Sequence, residues 1–308
     1  MKHLLTVRDL NAETIRRLFE LTARLKRTGQ ASRPLAGKTL GLLFQKPSLR
    51  TRVSFEVGMA QLGGQSIYIG PVELQGGQRE GAKDLANVLS RYLDGIVART
   101  YSHDHIVEMA AASSVPVING LSDESHPCQA LADLFTVHER FGKLKGVPVA
   151  YVGDGNNVCH SLMEASALTG VHLRIAAPRG YTPAAQVLRW AGAQAKRNAG
   201  TVELCASPDK AVKGAWVVYT DVWTSMGQEK EAAKREKVFR PYQVNSRLFR
   251  QADPQAVFMH CLPAHRGQEV TDQVMDSTRS IVYDQAENRL HVQKAILLEL
   301  LGKGRSIR

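Results

Sequence analysis

Short apolar runs alternate with stretches of helical period along the whole chain, and this alternation limits the folds open to it. In Lys38-Thr39-Leu40-Gly41-Leu42-Leu43-Phe44 the apolar residues are nearly continuous, as in a strand buried on both faces. Residues 12–26 instead place Ile15, Leu18, Leu21 and Leu25 on one helical stripe, with Thr22 at its edge. Further strands are expected at 66–69, 95–98, 115–118, 147–152, 173–176, 216–220, 257–260 and 281–283. Helices are expected at 48–62, 127–141 and 288–301. Such an order predicts α/β architecture with parallel sheets. A chain of 308 residues has room for two domains. The helix ending at Gly142 is followed by a fresh strand–turn–helix near Gly146, which sets the break. Two similar-sized domains follow, 1–141 and 142–287, each a parallel sheet flanked by helices. The apolar-striped C-terminal segment, 288–308, is expected to pack back on the first.

The net charge of +11 admits two explanations, nucleic-acid binding or a cationic field that draws in small anionic substrates. The basic residues are dispersed, with no stripe of interleaved aromatics, so no nucleic-acid partner is expected. No apolar run approaches the ~18 residues of a membrane span. The opening Met1-Lys2-His3-Leu4-Leu5 is too short in apolar residues for a signal peptide, and a cytoplasmic location is expected. Cys128, Cys159, Cys205 and Cys261 lie far apart, which suggests neither a disulfide framework nor a metal site. The Gly153-Asp154-Gly155 turn invites a dinucleotide reading, but Val158 stands where the third glycine belongs. The strand ending near Ala177-Pro178 offers no acid for a ribose, so no cofactor is expected.

The most informative segment is Ser48-Leu49-Arg50-Thr51-Arg52, where a buried strand turns into a helix. Cations in a first helical turn oppose the helix dipole by about 0.3–1 kcal/mol each. A phosphate seated there reverses that sign, since amides, hydroxyls and guanidiniums converge on it. The alternative is a pair of solvated arginines. In His126-Pro127-Cys128-Gln129, Pro127 suits the first helical position, and His126 and Gln129 share a face able to hold a carbonyl and an amide. A capping histidine and a solvent-facing glutamine would read the same way. Three more segments begin at strand ends: Gly153-Asp154-Gly155-Asn156-Asn157, Asp221 to Gly227, and His260-Cys261-Leu262-Pro263. Ligands of open α/β sheets gather beyond the carboxyl ends of strands. Asp221 is the acid best placed there to meet an ammonium, with a helix cap or loop ion pair as the alternative.

Taken together and in order, these segments resemble the aspartate/ornithine carbamoyltransferase family over essentially the whole chain, and its ornithine branch closely. Ser225-Met226-Gly227 and His260-Cys261-Leu262-Pro263 are the discriminating segments, because the aspartate enzymes carry a His-Pro-Leu-Pro type instead. Leu49 departs from the threonine of many members, leaving only its backbone amide for the phosphate. The resemblance implies that carbamoyl phosphate and L-ornithine are converted to L-citrulline and phosphate, a step of arginine metabolism. A carbamoyltransferase for putrescine or an acylated ornithine is the neighbouring possibility. By the same resemblance Ser48, Leu49, Arg50, Thr51 and Arg99 hold the phosphate, and His126, Gln129 and Arg289 orient the carbamoyl group. Gln75 looks like a residue donated by a neighbouring subunit, implying a homotrimer or a multiple of one. Asn157, Asp221, Ser225 and Met226 would grip the α-amino and α-carboxylate groups of ornithine. Cys261 and Leu262 would face its side-chain amine, with Cys261 orienting rather than attacking. The charged stretch 228–237 is expected to close over ornithine, an ordinary solvated helix being the alternative.

Overall fold

The computed structural model describes residues 1–28, 32–74, 80–225 and 227–302. The chain forms two compact units, Met1–Ala132 with Glu287–Arg308, and Asp133–Ala286. In the first unit, strands β1 (Thr39–Phe44), β2 (Gln65–Ile69), β3 (Gly95–Arg99) and β4 (Val117–Leu121) form one parallel sheet in the order β2-β1-β3-β4. The central β3 is buried at every position, which is why its sequence reads as a continuous apolar run. The edge strand β2 has no fully buried residue. Phe55 and Met59, from the helix Leu49–Gln61, join Leu40, Leu42, Ile96 and Ile118 in the core.

The C-terminal helix, Val282–Leu301, contributes its larger part to this first unit. It approaches closely at Gly58, where a Cβ would meet Lys294 Cγ at 3.4 Å and Leu290 Cδ1 at 3.6 Å. Lys294 Nζ donates to Gln61 Oε1 at 2.9 Å, and Lys26 Nζ donates to Asn288 Oδ1 at 2.8 Å.

In the second unit, β5 (Pro148–Val152), β6 (His172–Ala176), β7 (Thr201–Leu204), β8 (Val217–Thr220) and β9 (Val257–His260) are parallel, in the order β7-β6-β5-β8-β9. Ala150, Val152, Val218 and Phe258 pack with Val244, Leu248 and Phe249 in its core. Each sheet starts in its interior and grows first to one side, then to the other. The order therefore reverses between β1 and β3 in one unit and between β5 and β8 in the other. Beyond the strand ends at such a reversal, neighbouring connections leave on opposite faces and a crevice opens.

Several expected elements differ. Residues 281–283 are no strand. A bridge from Ser280 to Phe258 and the Ile281 N–H to the Phe258 carbonyl tie the chain to β9, and the helix begins at Val282. A three-residue apolar run is too short to separate a strand from the buried face of a helix. Strand β7 was not expected, because this edge strand is exposed and polar enough to carry no apolar run. The polar Asn119 lies inside β4 and masks its true extent, 117–121 rather than 115–118. The compact units divide within the helix Pro127–Phe141, between Ala132 and Asp133, whereas the sequence placed the break at its end. No helix among the described residues is long and apolar enough to cross a membrane.

Candidate active site

In the first unit, chemistry-bearing side chains gather at the carboxyl ends of β1, β3 and β4. Ser48 is extended and caps the helix Leu49–Gln61, its Oγ accepting the Thr51 N–H at 3.4 Å. This first turn holds no acid, so the dipole's positive end is not neutralised within it. Thr51 is fully buried, and its Oγ1 accepts from Arg289 Nη2 at 2.8 Å, which fixes the C-terminal helix's arginine to that turn. Arg99, the last residue of β3, is 5% exposed, and no described residue accepts from its Nε. Burial, then the charges of Arg289 and Arg50, hold its pKa down to about 9.

Lys46 belongs to the same cluster, although no motif in the sequence marks it. Burial and then Arg99 lower its pKa to about 8, partly offset by Asp123, and its ammonium lies 4.9 Å from the centre of the Tyr101 ring. Its only sequence signal is a cation two residues before the Ser48 cap. His126 is buried after β4, at the start of the helix Pro127–Phe141, and the Gln129 N–H donates to its carbonyl at 3.1 Å. Burial first, then Arg289, Arg99 and Lys46, push the His126 pKa well below the usual histidine range. The imidazole is therefore neutral at pH 7 and can serve as an N–H donor. Cations that crowd one another in this way are costly to bury, and a dianion among them reverses the cost. Leu49 opens the helix and is 76% exposed, outside the buried cluster.

In the second unit the site is built at the ends of β5, β8 and β9. Asn156 caps the helix Asn157–Thr169, its Oδ1 accepting the N–H groups of Val158 and Cys159. Its Nδ2 donates to Asp221 Oδ2 at 2.8 Å. The other Asp221 oxygen accepts the Val222 N–H at 2.8 Å and the Cys261 thiol at 2.9 Å. Asn156, Asp221 and Cys261 are thus brought together, and Asn157 follows Asn156 as the first residue of the helix. The Ser225 N–H is held by Gln228 Oε1 at 3.2 Å. Leu262 follows Cys261 and packs against the core. Gln75 and Met226 lie outside the described residues.

The charged stretch after Gly227 is a 3-10 turn, Glu229–Glu231, followed by the helix Ala232–Phe239. It is anchored by Arg235, which is 5% exposed. Arg235 Nη1 donates to Asp154 Oδ2 and to the Trp223 carbonyl, each at 2.8 Å, and its guanidinium lies 4.7 Å from the centre of the Tyr181 ring. Burial raises the Asp154 pKa to about 6, although Arg235 opposes the shift.

Among the described residues, Asp221, His260 and Cys261 bring potential metal-ligand atoms within 4.8 Å of one another. Their donors are already committed: His260 to the Leu262 N–H and Glu269, and Cys261 to Asp221. Burial, with Asp221 beside it, also pushes the Cys261 thiol well above its usual pKa. A protonated thiol is neither a nucleophile nor a ready metal ligand. Cys261 is accordingly expected to resist iodoacetamide at pH 7–8. Cys261→Ser should keep activity to within about tenfold, the scale of one hydrogen bond. A loss of more than about a thousandfold, or rapid alkylation with inactivation, would indicate a thiolate nucleophile.

The aspartate/ornithine carbamoyltransferase carbamoyl-P binding domain matches residues 2–139, and the Asp/Orn binding domain of the same family matches residues 145–300. The chain belongs to this family. It is 55% identical over 304 residues to the ornithine carbamoyltransferase of Pyrococcus abyssi, covering 98% of this chain and 96% of the relative. Among solved structures, ornithine carbamoyltransferase from Pyrococcus furiosus superposes with a TM-score of 0.95 at 53% identity, covering 99% of this chain and 98% of that one. The Thermus thermophilus enzyme follows at 0.89 and 44%, covering 98% and 99%.

Proposed function

We propose that the chain transfers the carbamoyl group of carbamoyl phosphate to the δ-amine of L-ornithine, giving L-citrulline and phosphate. The carrying observation is the buried cation cluster of Lys46, Arg99 and Arg289 around the turn that begins at Ser48. A small acyl phosphate with two negative charges suits it, and a polymer does not, because the cations are buried.

Ser48, the Leu49 and Arg50 amides, Thr51, Arg50 and Arg99 hold the phosphate. Neutral His126 donates an N–H to the carbamoyl oxygen, while Gln129 and Arg289 orient the group. In the second unit, Asp221 takes the α-ammonium, and Asn157 and Ser225 the α-carboxylate; Met226 is assigned to the same substrate. The neutral δ-amine attacks the carbamoyl carbon, the carbon–oxygen bond to phosphate breaks with its electron pair leaving on the phosphate oxygen, and the amine proton passes to the departing phosphate. Arg50, His126 and Arg289 stabilise the oxyanion formed on the way. Cys261 and Leu262 orient the amine.

Gln75 is assigned to a neighbouring subunit's site, and the assembly to a homotrimer or a multiple of one. Leu49, Val53 and Val57, spaced at four residues on one helix, are exposed apolar residues that support a subunit contact. A cytoplasmic location and the biosynthetic direction complete the reading, the latter supported by the Pyrococcus furiosus relative, named as anabolic.

The test is ureido-product formation from carbamoyl phosphate with ornithine, putrescine, N-acetylornithine and aspartate in parallel. Turnover with ornithine alone supports the assignment, and preference for another amine overturns the second-substrate reading. The pH dependence is specific. An alkylammonium of pKa about 10.4 is almost fully protonated at pH 7, so kcat/KM for ornithine should rise about tenfold per pH unit toward alkaline pH. Lys46, with its pKa lowered to about 8, loses its charge above that pH, so kcat/KM for carbamoyl phosphate should fall there. Burial holds the His126 pKa well below the usual histidine range, so His126 adds no limb on the alkaline side of neutrality. A flat carbamoyl phosphate profile from pH 7 to 10 would count against Lys46.

A further inference from the structure

We infer that Arg235 is a positioning residue for ornithine, fixing with Asp154 the segment from Asp221 to Ser225. The inference rests on the proposed ornithine site and adds to it a buried ion pair outside the groups assigned to the substrate. Both partners are 5% exposed. Arg235 Nη1 donates one hydrogen to Asp154 Oδ2 and the other to the Trp223 carbonyl, each at 2.8 Å. The two hydrogens of a guanidinium nitrogen lie in one plane at a fixed angle, so this nitrogen sets where the carbonyl stands relative to the carboxylate. Arg235 is held on its other sides as well. Its Nε donates to Glu231 Oε2 at 3.2 Å, and its guanidinium lies 4.7 Å from the centre of the Tyr181 ring and 5.8 Å from that of Phe239. Tyr181 is fixed in turn. Its carbonyl accepts the Gly155 N–H at 2.8 Å, and a Cβ at Gly155 would lie 2.2 Å from Pro183 N.

These contacts close a ring. Asp154 and Asn156 belong to the turn after β5, and Asn156 Nδ2 donates to Asp221 Oδ2 at 2.8 Å. From Asp221 the chain runs two residues to Trp223, whose carbonyl returns through Arg235 to Asp154. Trp223 is 1% exposed, and among the described residues nothing accepts from its Nε1. Its side chain therefore ties the loop by packing alone, stacked on Phe239 at 6.0 Å, and its carbonyl is the polar handle midway between Asp221 and Ser225. Beyond it, the Ser225 N–H is held by Gln228 Oε1 at 3.2 Å, and Gln228 precedes the turn Glu229–Glu231 that Arg235 also grips. Ser225 is thus referenced to Arg235 from both directions along the chain, whereas Asp221 is held by Asn156 with or without it. Four residues of backbone span up to about 14 Å, so without the arginine the distance from Asp221 to Ser225 is free to change. An ammonium and a carboxylate on one carbon need that distance fixed, and a misplacement of about 1 Å costs on the order of a hundredfold.

The test compares wild type with Arg235→Met and with the double variant Arg235→Met/Asp154→Asn. Three readouts are taken: ornithine turnover, inorganic phosphate binding, and competition by L-norvaline, which keeps ornithine's α-carbon groups and lacks the side-chain amine. Removing one partner of a buried pair strands the other's charge, and neutralising the second relieves that cost. The melting temperature should therefore fall in the single variant and recover at least half of the loss in the double. Positioning follows a different pattern. The KM for ornithine and the Ki of norvaline should rise about thirtyfold in both variants, the scale of a hydrogen bond to a charged group. At saturating ornithine kcat should change by less than about fivefold, and phosphate Kd by less than about twofold. Norvaline affinity that recovers with stability in the double variant, or that never falls, would overturn the inference, as would an equal loss of phosphate binding. Should Arg235→Met not fold, the norvaline affinity of the double variant decides alone. Wild type separates the two claims, since a wild type that makes no citrulline or ignores norvaline refutes the ornithine reading itself.

Discussion

Replacing Arg99 by methionine is expected to lower kcat/KM for carbamoyl phosphate by about a thousandfold while raising the melting temperature by about 2–8 °C. The two effects share one cause. Arg99 is 5% exposed, and burial with Arg289 and Arg50 pulls its pKa down to about 9 from the ordinary arginine value. A base whose folded pKa is depressed carries its charge into the fold at a cost, and that cost persists at every pH below about 9. Methionine removes the charge, keeps much of the volume, and leaves Arg50 and Arg289 with less repulsion. On the proposed assignment of Arg99 to the phosphate, substrate binding loses a guanidinium, a loss comparable to removing a donor from an oxyanion site. Calorimetry with and without phosphate checks both. Wild type should gain about 2.7 kcal/mol at a phosphate concentration of a hundred Kd. The variant should start higher and gain little. A variant that loses stability together with activity would show that Arg99 is structural.

Asp221→Asn is expected to reduce kcat/KM for ornithine by about a thousandfold and to leave phosphate affinity within twofold. Asp221 is 5% exposed and uses both oxygens as acceptors, one for Asn156 Nδ2 and the other for the Val222 N–H and the Cys261 thiol. An amide keeps a single acceptor. If its oxygen serves Val222 and Cys261, its NH2 meets the Asn156 NH2 head-on. Asn156 cannot turn over to relieve this, because its Oδ1 caps the helix Asn157–Thr169. The variant therefore loses the negative charge for the α-ammonium and gains a donor–donor conflict worth about 1–3 kcal/mol of stability. Steady-state kinetics with each substrate varied, alongside thermal melts, would expose a nonspecific effect as a parallel loss for carbamoyl phosphate.

The parts of the site legible in the sequence sit where local rules apply. Ser48 is a cap residue ahead of a helical pattern, and two arginines in a first turn are anomalous unless an anion is present. Asp221 and Cys261 each follow an apolar strand, where open sheets place ligands. Lys46, Asn156, Arg235 and Glu269 were not assigned, and for a common reason. Each acts through a partner distant in sequence: Arg99, Asp221, Asp154 and His260 respectively. A lysine, an asparagine or a glutamate in a loop carries no local mark of such a partner.

The sequence by itself determined the alternation of strands and helices, hence parallel sheets, and the chemistry of the strand-end segments. Period and burial are properties of neighbouring residues, so they can be read along the chain. Only the tertiary structure decided the strand orders β2-β1-β3-β4 and β7-β6-β5-β8-β9, and with them which strand ends share a crevice. It also decided the protonation states. His126 is neutral because it is buried and because Arg289, Arg99 and Lys46 add their charges nearby, and Cys261 is a thiol because burial and Asp221 disfavour its anion. Charge interactions depend on distance through space and on desolvation, and neither quantity is local in sequence.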